Sequence, residues 1–78
     1  MKTIPKKWQE FLAKKPETGM GYQVVNLILE DGKRIDDVVI IQSALIGEIR
    51  NGDVSFDPEN IVEIELTHKK WNFQRLPS

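Results

Sequence analysis

The sequence predicts a mostly β domain: a small antiparallel barrel of five to six strands with a short N-terminal α-helix. Three observations carry this. Short segments rich in Val, Ile and Leu recur between Tyr22 and Leu66, at the length and patterning of strands. Asp31-Gly32 and Asn51-Gly52 punctuate them, and such dipeptides favour tight hairpins. An amphipathic segment bounded by Pro5 and Pro16 comes first, with the start and stop signals of a helix. Short strands joined by tight turns favour closure, because a barrel hides the edges that an open sheet exposes.

The helix is expected over about residues 5–14. Pro5 suits the first turn, where a missing N–H costs nothing. Thr3 is the candidate N-cap, just before it or one residue further out. Trp8, Phe11 and Leu12 follow Ile4 at helical spacing, while Lys6, Lys7, Gln9, Glu10, Lys14 and Lys15 fall largely on the other face. Pro16 ends the helix, since the residue before a proline avoids helical dihedrals. So short a helix is marginal alone in water, and Trp8 and Phe11 must therefore dock on something. Gly19-Met20-Gly21 reads as a flexible link.

The barrel is expected over about residues 22–75. Tyr22 to Glu30 forms the first strand, with Val25, Leu27 and Leu29 on one face, Tyr22, Val24 and Ile28 on the other, and Asn26 as a polar interruption. Asp31-Gly32 predicts a type I′ turn, with positive φ at both central residues. Arg34 to Ile41 is the second strand, and Asp36-Asp37 marks a bulge or bend in it. Gln42-Ser43 allows a corner before a third strand, Ala44 to Arg50. Asn51-Gly52 then turns into a short fourth strand, Asp53 to Phe56. Asp57-Pro58-Glu59-Asn60 reads as a turn or a single 3₁₀ turn. Val62, Ile64 and Leu66 alternate with Glu63, Glu65 and Thr67, a half-buried strand with a solvated acidic face. Trp71 and Phe73 alternate with Asn72 and Gln74 in a last strand.

The 78 residues suit a single domain, 1–78. A chain this small buries only about 60–65% of its unfolded surface, so its stability is marginal. It has no cysteine, which removes disulfides, thiolate zinc sites and cysteine catalysis. The single histidine, His68, cannot build a histidine-rich metal site. A well-packed core, a homodimer, or both must then supply stability. No apolar run approaches the ~20 residues that span a bilayer. The basic start lacks the apolar stretch and cleavage site of a signal peptide. The expectation is a cytoplasmic protein with no membrane partner.

Charge is distributed in blocks. Residues 1–21 carry five lysines against two acids, net +3; residues 22–67 carry three cations against ten acids, net −7; residues 68–78 carry three cations and no acid, net +3. Either the ends fold back onto an acidic β body, or both ends form one basic face for an anionic partner.

A short N-terminal helix, a strand ending in Leu29-Glu30-Asp31-Gly32-Lys33 and a following aliphatic strand together resemble the small SH3-like barrels, and among them the Sm-like subgroup. The similarity covers roughly residues 5–67 in element order and Leu29 to Lys33 in motif. It implies the fold and none of the family's RNA-binding residues. Asp36 or Asp37 stands where those proteins place a second-strand glycine. Gln42-Ser43-Ala44 offers no counterpart to their Asp…Asn loop, and their late Arg-Gly signature is missing.

No residue is assigned a catalytic, cofactor-binding or metal-binding role. Asp53, Asp57 and Glu59 lie close enough in sequence to share a cation, but without the alternating ligand pattern of a calcium loop. Asp36 and Asp37 are adjacent, so in a strand they point to opposite faces. His68 has no acid–base partner in its neighbourhood. Lys69, Lys70, Trp71, Phe73 and Arg75 form the most distinctive stretch: bases stack on aromatic rings while cations meet phosphate on single-strand platforms. The alternative is that Trp71 and Phe73 are core, packed under the helix against Trp8 and Phe11. The expected function is a non-enzymatic protein-binding or adaptor module, with the acidic centre favouring a protein partner over nucleic acid. The alternative is a single-stranded nucleic-acid-binding barrel using the basic-aromatic C-terminal strand.

Overall fold

A computed structural model describes residues 2–50, 56–67 and 69. Five antiparallel strands form a curled half-barrel beside one short helix, as the sequence predicts. The elements are β1 (Lys2–Thr3), α1 (Lys6–Ala13), β2 (Tyr22–Leu29), β3 (Arg34–Ile41), β4 (Leu45–Ile49) and β5 (Ile61–Leu66), with a 3₁₀ turn at Pro58–Asn60 before β5. Their order across the sheet is β1-β4-β3-β2-β5. The predicted strand over residues 53–56 lies outside the described residues except for Phe56, which packs against the core. The predicted strand at Trp71 and Phe73 lies wholly outside them.

β2 is an interior strand, paired with β3 on one side and the edge strand β5 on the other. Val25, Leu27 and Leu29 face the main core, where Ile4 and Leu12 meet Val38, Ile40, Ile46, Ile61 and Ile64. Val24 and Val39, directly paired across β2 and β3, are fully buried as well. This is why β2 and β3 read as apolar on both faces.

Helix α1 starts one residue later than expected, and Thr3 is not its cap. Thr3 belongs to β1 and pairs with Leu45. Pro5 takes the N-cap position with an extended backbone and no side-chain cap. The missing cap is offset at the other end. Gln23, 1% exposed in β2, donates its side-chain amide to the Leu12 carbonyl at 3.0 Å, with the Lys15 and Pro16 carbonyls at 3.4 Å. The Leu12 carbonyl also accepts the Lys15 N–H at 3.0 Å, so Gln23 adds a second donor at the helix end, where carbonyls lack their usual partners.

The turns differ instructively from expectation. At the β2–β3 hairpin only Gly32 has positive φ, +88°. The Gly32 N–H donates to the Leu29 carbonyl and the Leu29 N–H to the Lys33 carbonyl, each at 2.8 Å. This is a three-residue loop closed by a left-handed glycine, not a type I′ turn. The paired positive φ values occur instead at Gln42 (56°) and Ser43 (60°), between β3 and β4. The Ala44 N–H closes that turn onto the Ile41 carbonyl at 3.0 Å, and the Gln42 N–H is held by the Gly21 carbonyl at 2.9 Å. Gly19-Met20-Gly21 is itself a tight turn, with mutual hydrogen bonds between Gly19 and Tyr22.

In β5 the expected alternation slips. A register shift opposite Ile28 and Leu29 makes Val62 an extra residue. Ile61 is then buried and Val62 is 52% exposed, whereas Ile64 is buried as predicted.

Two substitutions test these assignments. Ile64→Ala is expected to cost about 2–5 kcal/mol by denaturant unfolding, the range of buried truncations, whereas exposed Glu63→Ala stays within about 0.5 kcal/mol. Gly32→Val is expected to cost about 1–3 kcal/mol from backbone strain alone, because no atom lies within 4 Å of where its Cβ would sit. An unchanged midpoint for Gly32→Val would mean that the hairpin adopts another turn.

Candidate functional site

The chemistry-bearing side chains gather at the bulge in β3. Val25 pairs with Val38 and Leu27 with Ile35, so Asn26 faces both Asp36 and Asp37. Asp36-Asp37 is thus the break that the sequence signals. The extra residue bends the strand. Asp37 absorbs that bend at φ 56°, a conformation that Asp tolerates better than most L-residues. Its side chain turns inward and is only 8% exposed, while that of Asp36 stays in solvent at 54%.

Cations from two segments meet the Asp37 carboxylate, and a third segment holds its backbone. Lys69 Nζ lies 2.8 Å from Oδ1, and Arg50 Nη1 lies 3.7 Å from Oδ2. The Arg50 N–H donates to the Asp37 carbonyl at 3.1 Å. Asn26 Oδ1 accepts the Asp37 N–H at 3.1 Å, and Asn26 Nδ2 donates to Glu65 Oε1 at 3.5 Å. The polar interruption in β2 therefore holds the bulge of β3 and reaches β5. Burying a carboxylate is costly unless it is paired and hydrogen-bonded, and the pairing here answers that cost.

Asp36 belongs to a second, solvated group. Arg34 Nε lies 2.7 Å from Asp36 Oδ1, and Arg34 Nη2 lies 2.9 Å from Glu65 Oε1. The hydrogen bond to Asp36, and then the charge of Glu65, hold the Arg34 guanidinium above its ordinary pKa. The two aspartates thus serve different cations. The arrangement acts as an electrostatic latch. It ties Arg50, just after β4, and Lys69, three residues beyond β5, to the bulge in β3.

Of the predicted contact residues, Lys69 is placed on Asp37. Lys70, Trp71, Phe73 and Arg75 lie outside the described residues, as do His68 and Asp53. Asp57 caps the 3₁₀ turn, accepting the Glu59 N–H at 2.9 Å. Among the described residues no group of three acids or histidines is placed to hold a metal ion, and no helix is long and apolar enough to cross a membrane. Trp8 and Phe11 do find a dock. They meet edge-to-face, 5.5 Å apart, against the core, and Trp8 Nε1 donates to the Ile61 carbonyl at 3.3 Å.

Sequence reasoning missed Asn26 and Arg50 as partners of Asp37. Counting outward from the Asp31-Gly32 turn does place Asn26 opposite Asp36-Asp37, so that signal was available. Arg50 arrives through β4, whose register no sequence feature specifies. Comparison of the chain with protein-family models, curated proteins and solved structures finds no match.

A double-mutant cycle tests the latch. Asp37→Asn alone is expected to cost about 1–3 kcal/mol, the price of disturbing a buried hydrogen-bonded group. Because Lys69 is 56% exposed, its coupling to Asp37, measured with Lys69→Met, is expected near the low end of the ~0.5–3 kcal/mol seen between residues in contact. A coupling of zero would mean that Lys69 does not anchor the chain there.

Proposed function

We propose that this chain is a non-enzymatic protein-binding module of the cytoplasm, built on a small barrel of the SH3-like kind with the Sm-like order of elements. One observation supports a protein partner over nucleic acid. Lys69, a cation that a single-strand platform would aim at phosphate, lies instead on the buried Asp37 carboxylate at 2.8 Å. The acidic body works in the same direction, since residues 22–67 carry three cations against ten acids and a polyanion is repelled by such a surface.

The test uses the intact chain as bait in extract and a labelled single-stranded oligonucleotide in parallel. A protein that stays bound at high salt, and binds again once purified, supports the reading. Oligonucleotide binding that weakens steeply with salt is the mark of phosphate contacts. Its loss on Lys69→Ala would overturn the proposal in favour of the nucleic-acid reading.

A further inference from the structure

Two groups of cations among the described residues differ in their partners. Arg34, Arg50 and Lys69 each lie against a carboxylate. The helix lysines do not. Lys6, Lys7, Lys14 and Lys15 are all exposed, and among the described residues none has a carboxylate within ion-pair distance. Lys7 lies over the Trp8 ring at 5.3 Å and Lys15 over the Phe11 ring at 5.0 Å. Lys7 and Lys14 are two turns apart on one stripe, about 10 Å along the axis. Glu10 is the one acid among them on the helix.

Glu17 follows just after the helix, and a larger group of anions without ion pairs lies elsewhere. The β2–β3 turn and the start of β5 are neighbours, since the Glu30 N–H donates to the Asn60 carbonyl at 2.8 Å. Glu30, Asp31, Glu59 and Glu63 are exposed there, with no ion pair among the described residues; Lys33 is in the turn itself, and Lys2 Nζ donates to the nearby Phe56 carbonyl at 2.8 Å. Between the turn and the segment leading to β5 runs a cleft of about 350 Å³, with Leu29, Ile35 and Phe56 in its wall. Lysine suits such a place, because its stem lies on apolar surface while its ammonium stays with charge and water.

We infer that the outward face of α1 docks on the β2–β3 turn and β5 start of a second copy of this chain. Charge complementarity selects that occupant. A membrane surface or a nucleic acid presents only negative charge, and would meet the acidic body as well as the helix. The helix has no apolar side to offer a bilayer, since Leu12 is fully buried, and the lysines over Trp8 and Phe11 cover rings on which bases would stack. A second copy presents an acidic surface locally and a basic one beside it. Each copy carries both faces, so the contact made twice closes a dimer. The inference goes beyond the proposed binding of another protein, which a monomer can still perform.

Charge reversal tests it, read by sedimentation equilibrium. The wild-type chain is expected to dimerise at an ionic strength of about 0.01 M and to dissociate at about 1 M, where the screening length falls from about 30 to about 3 Å. Lys7→Glu with Lys14→Glu is expected to weaken the dimer at least tenfold, and Glu30→Lys with Glu63→Lys to do the same. All four changes in one chain restore the wild-type net charge and the complementarity, and are expected to restore the dimer. The milder pair Lys7→Gln and Lys14→Gln, with circular dichroism on every variant, separates lost docking from lost folding. A wild-type monomer at low salt would overturn the inference, as would a four-fold variant that stays monomeric while folded. So would loss of binding to anionic vesicles or oligonucleotide in the Lys→Glu pair of a monomeric chain. The extract experiment stands apart from these outcomes, so the two proposals fail separately.

Discussion

The side chain of Gln23 is the joint on which the assembly turns. It sits fully buried in β2, yet its amide serves the end of a helix and its oxygen lies 3.5 Å from Ser43 Oγ in the β3–β4 turn. Helix α1 has eight residues and no side-chain cap at its start. Such a helix does not hold itself together in water. It persists because Leu12 and Ile4 enter the core while Gln23 receives the carbonyls that emerge beside them. An apolar residue at this position would remove that buried donor and leave the Leu12 carbonyl only the Lys15 N–H, a loss on the order of one hydrogen bond.

The Asp37 bulge solves a related problem from the polar side. β2 and β3 are covered on both faces over much of their length, which leaves little room for charge. Asn26 and Asp37 meet where that covering is interrupted, and the bulge turns one carboxylate inward without a clash. Pairing with Lys69 and Arg50 turns a costly buried charge into a link between strands that are distant in sequence. The solvated Arg34 group beside it contributes less, because exposed ion pairs compete with water.

Local signals in the sequence were read well where local physics decides. Apolar runs on both sides of Asp31-Gly32 located β2 and β3, Pro5 and Pro16 bracketed the helix, Asp57-Pro58 announced the turn before β5, and Asp36-Asp37 marked a break in β3. Errors arose where a distant partner decides. Thr3 has the chemistry of a helix cap but is claimed by β4. Val62 fits the buried alternation but is displaced by a shift against β2. Gln42-Ser43 lacks the residues that positive φ favours, yet adopts it because the sheet and Gly21 hold the backbone there. At the latch, Asp37 was visible, but its burial and its link to Arg50 depend on the register of β4.

The order of pairing also has a consequence for how the chain acquires its shape. β2 and β3 meet across a three-residue loop, so their pairing costs little closure entropy. The opposite holds for Lys2, whose partner is Ile46, and for Leu27, whose second partner is Ile64. During synthesis, helix α1 emerges early and has no surface to cover until the strands behind it exist. The first hairpin is thus the template, and the N-terminal elements must wait, unprotected, for the middle of the chain to arrive. Long-range closure of this kind slows folding, and the interval exposes Trp8 and Phe11 to other chains.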